Sequence, residues 1–390
     1  MLDFNNTQRA YAYKSNRDLR MAYALFSAMN SNFLMKSVKS ASDVAVRLGI
    51  PLNWVLKPTL YRQFVGGETI DECKEVVKRL YNSGIESILD YSAESSSELS
   101  DIEEAYDEIL KTIENARVNP AVAFAVFKPS AIVVERILKK AAEDETALGV
   151  VERGEYDNFR RRFFSLCERA YEAGVKVMVD AEKFAAQSLV DAMTVEAMQR
   201  FNKERAVIFI TLQMYRRDRL DYLKFLHKDA IARGYILGVK FVRGAYMEEE
   251  RARAFELGYP DPILPDKSAT DKSFNDGLAY AVENIDNFEI FCGTHNYEST
   301  NLLADLMDKK ELGRGDKRIY FAQLYGMSDN ITYTLANEGY NVCKYIPYAP
   351  VRKVLPYLFR RMEENRSVAG QTGRELELIK REMERRRISK

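Results

Sequence analysis

ILGVKFVRGAY, residues 236–246, decides how this chain folds. Its apolar positions run on without the in–out alternation of a half-exposed strand, the pattern of a strand covered on both faces. Lys240 sits inside the run, and the run ends in the polar turn Arg243-Gly244-Ala245-Tyr246. Similar runs precede it at Ile85–Tyr91, Ala121–Phe127, Val175–Val179 and Val207–Leu212, and follow it at Glu289–Gly293, Ile319–Leu324 and Val342–Ile346. The segment between each run and the next is long enough for a helix. Eight strands, each followed by a helix, predict an α/β chain folded as a (β/α)8 TIM-type barrel. An open doubly wound sheet is the alternative, and the strand count weighs against it. Residues 1–83 show no strand alternation and read as an N-terminal helical region. Within it Thr69-Ile70-Asp71-Glu72 has the form of a capping box, and Gly66-Gly67 marks a turn. The barrel then takes residues 84–370, and 371–390 form a charged, helical tail expected to be solvated.

The chain has 390 residues, 46% hydrophobic and 30% charged, which is a soluble globular profile with room for a sizeable core. Lys+Arg and Asp+Glu both number 58, so bulk charge points to neither a nucleic-acid nor a membrane partner. The four cysteines, Cys73, Cys167, Cys292 and Cys343, form no CxxC pair and read as reduced core thiols of a cytoplasmic protein. With only two histidines, His227 and His295, a histidine-rich metal site is excluded and no metal is expected. No apolar run reaches the length of a membrane span, and the N-terminus lacks the regions of a signal peptide. Asp3 and Asp18 interrupt Arg9, Arg17 and Arg20, against an organelle transit peptide.

In barrels of this kind the chemistry gathers at the C-terminal ends of the strands. Here those ends supply Lys128, Asp180, Gln213, Arg243, Thr294-His295-Asn296, Gln323, Tyr325 and Tyr348. One polar residue at a strand end is loop chemistry or a cap, but repetition around the barrel describes a lined pocket. Lys128, Lys240 and Arg243 make it cationic, and buried cations require anionic partners. Asp180 and Glu364 are too few to balance them, so a bound anion is expected. Lys128 after a strand also suits a Schiff-base aldolase, and a lone His295 suits a hydrogen-bonded structural role. No GxGxxG or GxxxxGK[ST] occurs, so a nucleotide would be held without those devices.

The segment Tyr345–Asn365, YIPYAPVRKVLPYLFRRMEEN, carries an apolar helical stripe of Val351, Val354, Leu355, Leu358, Phe359 and Met362. Tyr357, Arg360, Arg361 and Glu364 fall on another face. Adjacent arginines point about 100° apart on a helix, so two guanidinium forks can converge on one carboxylate, with Glu364 a turn away to hold them. A solvated face with a surface salt bridge is the plainer reading of the same pattern. Pro356 suits a first turn, so regular helix is expected to begin there.

Five blocks decide between these readings: VMVDAE (177–182), KFVRGAY (240–246), THN (294–296), QLYGM (323–327) and YAPVRKVLPYLFRRMEEN (348–365). In this order they resemble the signature blocks of the proline dehydrogenase (proline oxidase) family, over about residues 60–370. The resemblance implies a distorted barrel that binds FAD, with the last helix over the barrel mouth. It implies oxidation of L-proline to Δ1-pyrroline-5-carboxylate, the first step of proline catabolism, with electrons passed to a quinone. By motif, Arg360, Arg361 and Lys128 correspond to the clamp on the substrate carboxylate. Tyr348, Tyr357 and Glu364 correspond to residues lining the proline ring, with Leu324 as an added apolar contact. Ala181, Gln213, Arg243, Gly244, Ala245, Thr294 and His295 match positions around the flavin. Asp180 and Lys240 take the catalytic places, Asp180 as an orienter and Lys240 as the cation beside the flavin. Lys240 stands where the large bifunctional bacterial enzymes carry arginine, as in eukaryotic-type members. The short spacing from Tyr348 to Arg360 agrees, and no aldehyde dehydrogenase half accompanies the blocks, so a single-function member is expected. The sister activity on hydroxyproline goes with a small residue at position 348, where this chain keeps tyrosine. A quinone acceptor would bring an otherwise cytoplasmic enzyme to the inner-membrane surface as a peripheral protein.

Overall fold

The eight apolar runs become eight parallel strands: β1 Glu86–Tyr91, β2 Val122–Phe127, β3 Lys176–Val179, β4 Ile208–Gln213, β5 Leu237–Val242, β6 Phe288–Gly293, β7 Ile319–Leu324 and β8 Val342–Tyr348. Each lies within two residues of the bounds read from sequence. The structure, a computed structural model, describes residues 2–29, 57–92, 98–355, 357–358 and 371–388. The strands pair in chain order and β8 returns to β1, from Glu86↔Cys343 to Tyr91↔Tyr348, so the sheet is a closed barrel and not an open one.

Closure leaves no edge and puts both strand faces under cover. Ile88, Phe124, Val126, Met178, Phe209, Phe291, Tyr320, Ala322 and Cys343 form the inner cluster. The Phe124 ring meets Phe209, Phe291 and Tyr320 edge-on, at centroid distances of 5.4, 5.2 and 5.0 Å. Their strand neighbours, among them Val177, Val179, Ile208 and Ile210, pack outward under the helices. Because side chains alternate with a period of two, the next inward position after Ile88 is Asp90. After Val126 it is Lys128, and after Met178 it is Asp180. Thus the repeat that fills the barrel with rings and methyls also aims polar groups inward at its mouth.

Elsewhere the structure departs from the sequence reading at definite points. Thr69 Oγ1 accepts from the Glu72 amide at 3.2 Å, but Glu72 reaches back to the amide of Glu68, at 2.9 Å, so the capping box closes one residue early. Gly66-Gly67 lie alongside β8: the Gly66 amide donates to Pro347 at 2.9 Å, and Gly67 bridges Tyr348. Helix begins at 351, directly after Pro350, and Val351, Val354, Leu355 and Leu358 are buried. The C-terminal segment is helical over Gln371–Arg385, as expected, but it is not a solvated end. Leu378, Ile379 and Met383 are buried, and the helix packs on the Asn16–Met29 helix. Spacing explains this: apolar residues three and four apart make a stripe that high overall charge conceals. Among the described residues all four cysteines are free and buried, and no helix is long and apolar enough to cross a membrane.

Gly326, in the turn after β7, seats the N-terminal region on the barrel. Its φ is +80°, its carbonyl accepts from Gln63 Nε2 at 2.6 Å, and an added Cβ would lie 1.9 Å from the Gln63 carbonyl oxygen. Gly326→Ala should therefore lower the unfolding free energy by roughly 1–3 kcal/mol in denaturant titration. Gly313→Ala, where no atom lies within 4 Å, should change it little. Equal midpoints for the two variants would show that this contact does not hold the N-terminal region.

Candidate active site

Asp180, just past β3, is the hub of the barrel mouth. Its Oδ2 accepts from Lys128 Nζ at 2.6 Å and from the Tyr345 hydroxyl at 3.1 Å, and its Oδ1 accepts from Lys240 Nζ at 2.5 Å. Lys240 comes from β5 and passes β4 to reach it, with Nζ also 5.0 Å from the centroid of the Tyr345 ring. Asp180 and Lys240 are buried, whereas the Lys128 side chain keeps 29% exposure. Burial alone would raise the Asp180 carboxyl, but the Lys128 and Lys240 ammonium groups outweigh it and hold the carboxyl well below its usual range. Burial likewise works against the Lys128 ammonium, yet Asp180, helped by Asp90, holds it above its usual value. A carboxylate held that low is a poor base, so its chemistry is to fix two ammonium groups and a phenol.

Two further acids lie around the hub. Asp90 is buried and accepts from the Ser92 hydroxyl; burial raises its carboxyl while Lys128 pulls it down. Glu182 is buried and accepts from the Ser130 amide at 2.7 Å, with burial again the largest influence and upward. The sequence reading missed Asp90, Glu182 and Tyr345. It took the first polar residue after each run, and Asp90 and Tyr345 lie inside runs; counting inward positions in twos from Ile88 and Cys343 finds both.

A second group forms around Arg243, which donates to Asp271 Oδ1 at 2.7 Å, Thr294 Oγ1 at 2.7 Å and Ser299 Oγ at 2.9 Å, over the Phe274 ring. This corrects the charge count made from sequence: Asp271 comes from the Lys267–Glu283 helix, not from a strand end, and it balances Arg243. Gly244 has φ +130°, and a Cβ there would lie 2.4 Å from the Tyr215 ring, so only glycine fits. Gly244 and Ala245 are exposed, Ala181 is half-buried beside Asp180, and Gln213 is buried at the end of β4. Thr294 is buried, and its carbonyl accepts from Gln323 Nε2 at 3.1 Å. His295 Nδ1 lies 2.9 Å from Ser328 Oγ, and its Nε2 faces the Leu324 amide at 3.5 Å.

The remaining sequence-predicted residues divide. Tyr348 is fully buried; its hydroxyl donates to Glu108, at 3.1 Å on the Leu99–Val118 helix, and its ring lies 5.5 Å from that of Tyr91. It faces the helical layer, while Tyr345 faces Asp180. Tyr357 is buried and close enough to Tyr345 to add to the rise of that phenol, after burial, Asp180 and Asp90. Leu324 is half-buried against the inner cluster. Arg360, Arg361 and Glu364 lie outside the described residues. A cavity of about 580 Å³ lined by Phe184, Arg216, Arg219 and Tyr222 contains none of these residues.

Comparison with known proteins supplies the family. The proline dehydrogenase family model matches residues 73–374. The chain is 36% identical to the carbapenem antibiotics biosynthesis protein CarD of Pectobacterium carotovorum subsp. carotovorum, over 94% of this chain and 98% of that protein. It is 29% identical to the mitochondrial proline dehydrogenase 1 of Dictyostelium discoideum, over 98% of this chain and 74% of that one. Identity to the human mitochondrial proline dehydrogenase 1 is 40%, over 58% of this chain and 38% of that protein. Among solved structures, proline utilization A from Bdellovibrio bacteriovorus, inactivated by N-propargylglycine, has TM-score 0.73 at 20% identity, covering 93% of this chain and 38% of that one. That likeness is one of fold, to part of a longer protein. The family match spans most of the chain and one relative aligns along nearly its whole length, so this protein belongs to the proline dehydrogenase family, the oxidoreductases of proline catabolism.

Proposed function

We propose that the protein oxidises L-proline to Δ1-pyrroline-5-carboxylate with FAD bound at the barrel mouth and a quinone as the onward electron acceptor. The observation that carries this reading is the Asp180 hub: one ionised carboxylate between two ammonium groups, with Lys128 still partly open to solvent. An amino-acid carboxylate is the natural partner for that remaining charge. Arg360 and Arg361 would complete the clamp, with Tyr357, Glu364 and Leu324 as ring contacts; Tyr348, expected there from the motif, faces the Leu99–Val118 helix instead.

The residues present fit a flavin. A cation (Arg243), a hydroxyl (Thr294), an imidazole (His295) and an amide (Gln213) stand at neighbouring strand ends, beside a backbone stretch at Gly244 that only glycine can form. Ala181 and Ala245 would flank it with small side chains. Bound there, a flavin would supply the two-electron acceptor for hydride. The chain's own part is positioning and charge. Lys128 receives the substrate carboxylate, Lys240 stands as the cation for charge that develops during oxidation, and Asp180 and Tyr345 hold Lys240 in place. Asp180 acts on Lys128 and Lys240 and takes no proton.

The same geometry argues against the Schiff-base alternative. A lysine nucleophile must shed its proton to attack a carbonyl, and Asp180 holds Lys128 protonated. Hydroxyproline oxidation is the nearest other activity, and comparing the two substrates under identical conditions separates them.

Three outcomes are expected. The purified protein should show oxidised flavin bands that L-proline bleaches under anaerobic conditions; a colourless protein that still oxidises proline would overturn the FAD assignment. Arg360→Ala and Arg361→Ala should each raise the substrate constant by one to two orders of magnitude, since a charge-assisted contact to a carboxylate contributes roughly 1.5–3 kcal/mol. Unchanged constants in both would remove the clamp.

The third outcome follows from linkage. The folded Asp180 carboxyl lies below its unfolded value of 3.8, so its stabilisation is fully present above that value and is lost as pH falls toward the folded one. The parent should exceed Asp180→Asn in unfolding free energy by about 3–5 kcal/mol near neutral pH, the usual cost of stranding a buried charge. The gap should narrow once pH drops below 3.8. A gap independent of pH would mean that Asp180 does not act as the ionised hub.

A further inference from the structure

The C-terminal helix Gln371–Arg385 reaches the His295 strand end through one carboxylate. Glu375 is buried, and its Oε1 accepts from the Ser328 amide at 2.5 Å. Ser328 has φ +49° and ψ +42°, the left-handed region, which is disfavoured for any residue with a Cβ. It opens the Asp329–Asn337 helix there: its carbonyl accepts from Ile331 and Thr332, at 3.0 and 3.1 Å. Its hydroxyl lies 2.9 Å from His295 Nδ1. On the other side of the ring, Nε2 faces the Leu324 amide at 3.5 Å. A backbone N–H can only donate, so Nε2 is the acceptor. In the neutral ring Nδ1 then carries the proton and donates to Ser328 Oγ.

We propose that Glu375 is a positioning residue for His295. By holding the Ser328 amide it keeps Ser328 in the left-handed conformation that presents its hydroxyl to Nδ1, and so the C-terminal helix fixes the direction of an imidazole whose tautomer the Leu324 amide sets. The importance of that setting for oxidation rests on the reading of His295 as a flavin neighbour; the setting itself does not.

The surroundings make the device responsive to pH. Burial, then the negative charge of Asp329, push Glu375 up to about 7, against the Ser328 amide, Lys344 and Lys14. The groups facing this pocket come from every element around it. Tyr11, Tyr13 and Lys14 belong to the N-terminal segment, Asp329 to the helix after β7, Lys344 to β8 and Tyr297 to the helix after β6. As pH rises through neutrality the ionised Glu375 becomes the stronger acceptor for the Ser328 amide.

With two histidines in the chain, ring nitrogen-15 NMR is readily assigned: a His227→Gln sample identifies the His295 signals. The parent at pH 7 should show His295 with the proton on Nδ1 and none on Nε2, with a small inflection in both shifts near neutral pH. Glu375→Gln should keep the parent's shifts at pH 7, because its amide oxygen still accepts from the Ser328 amide, but abolish the inflection. Glu375→Ala and Ser328→Ala should each take the acceptor away from the Nδ1 proton, moving the His295 ring shifts away from the parent's, with flavin content after purification down several-fold. Cooperative thermal unfolding shows that a variant is folded; if Glu375→Ala does not fold, Ser328→Ala carries the test. A folded Glu375→Ala or Ser328→Ala protein that retains the parent's His295 shifts overturns the proposal. A protein that shows the predicted shift changes but never bleaches with L-proline leaves the positioning intact and refutes the functional reading instead.

Discussion

One aspartate between two lysines is the constraint on which the barrel mouth depends. Asp180 lies at the end of β3, Lys128 at the end of β2, Lys240 within β5 and Tyr345 within β8, so four strands must be in register for the contacts to form. Moving any strand by one residue turns its inward side chain outward, and a buried ammonium group would then lose its partner. Such a unit is a weak source of net stability, because desolvation offsets most of the attraction. Its effect is selective: registers that leave Asp180, Lys128 or Lys240 alone inside the barrel are penalised by several kcal/mol. The ring cluster of Phe124, Phe209, Phe291 and Tyr320 below it supplies the apolar burial that such a hub cannot.

Barrel topology was legible because strand signals are local. Each strand is a contiguous run bounded by polar residues, and burial on both faces writes itself into every position of the run. The site was legible only in its strand-end half. Lys128, Asp180, Gln213 and Arg243 announce themselves by breaking an apolar run. Their partners do not: Asp271 lies on a helix face, Tyr345 reads as one more strand aromatic, and Glu108, which holds the Tyr348 hydroxyl, is one acid among many on the Leu99–Val118 helix. An ion pair is fixed by where two segments meet in space, and no local pattern of spacing records that. The rest of the expected site, Arg360, Arg361 and Glu364, rests on the motif blocks and lies outside the described residues.

The C-terminal segment shows the opposite failure, in which composition misled. Residues 371–390 are rich in charge, yet the helix buries Leu378, Ile379 and Met383 on one face. Several of its charged groups are captured. Glu382 is fully buried and pairs with Arg385 and Arg386, and Arg386 donates to the carbonyls of Tyr11 and Lys14, both at 2.7 Å. The N- and C-terminal segments are thereby joined beside the Asp329–Asn337 helix, which packs on β7 and on β8, the strand that closes the barrel onto β1.

A second aspartate hub sits in that seam, and comparing the two separates structural from functional charge. Asp329 accepts from the Tyr13 hydroxyl and pairs with Lys344 at 2.9 Å and Lys14 at 3.7 Å, much as Asp180 pairs with two lysines and a phenol. Both carboxyls are held below their usual range by neighbouring ammonium groups despite burial. The difference is access. Side-chain exposure in the seam is 1% for Lys344, 6% for Asp329 and 10% for Lys14, so every charge there is answered within the chain. At the mouth Lys128 keeps 29%. A sealed hub can only hold segments together, whereas a hub with one ammonium open to solvent can exchange water for a carboxylate at little further desolvation. Exposure, more than charge or hydrogen-bond count, therefore sets the hub of Lys128, Asp180 and Lys240, proposed as the substrate site, apart from Asp329, a fastening.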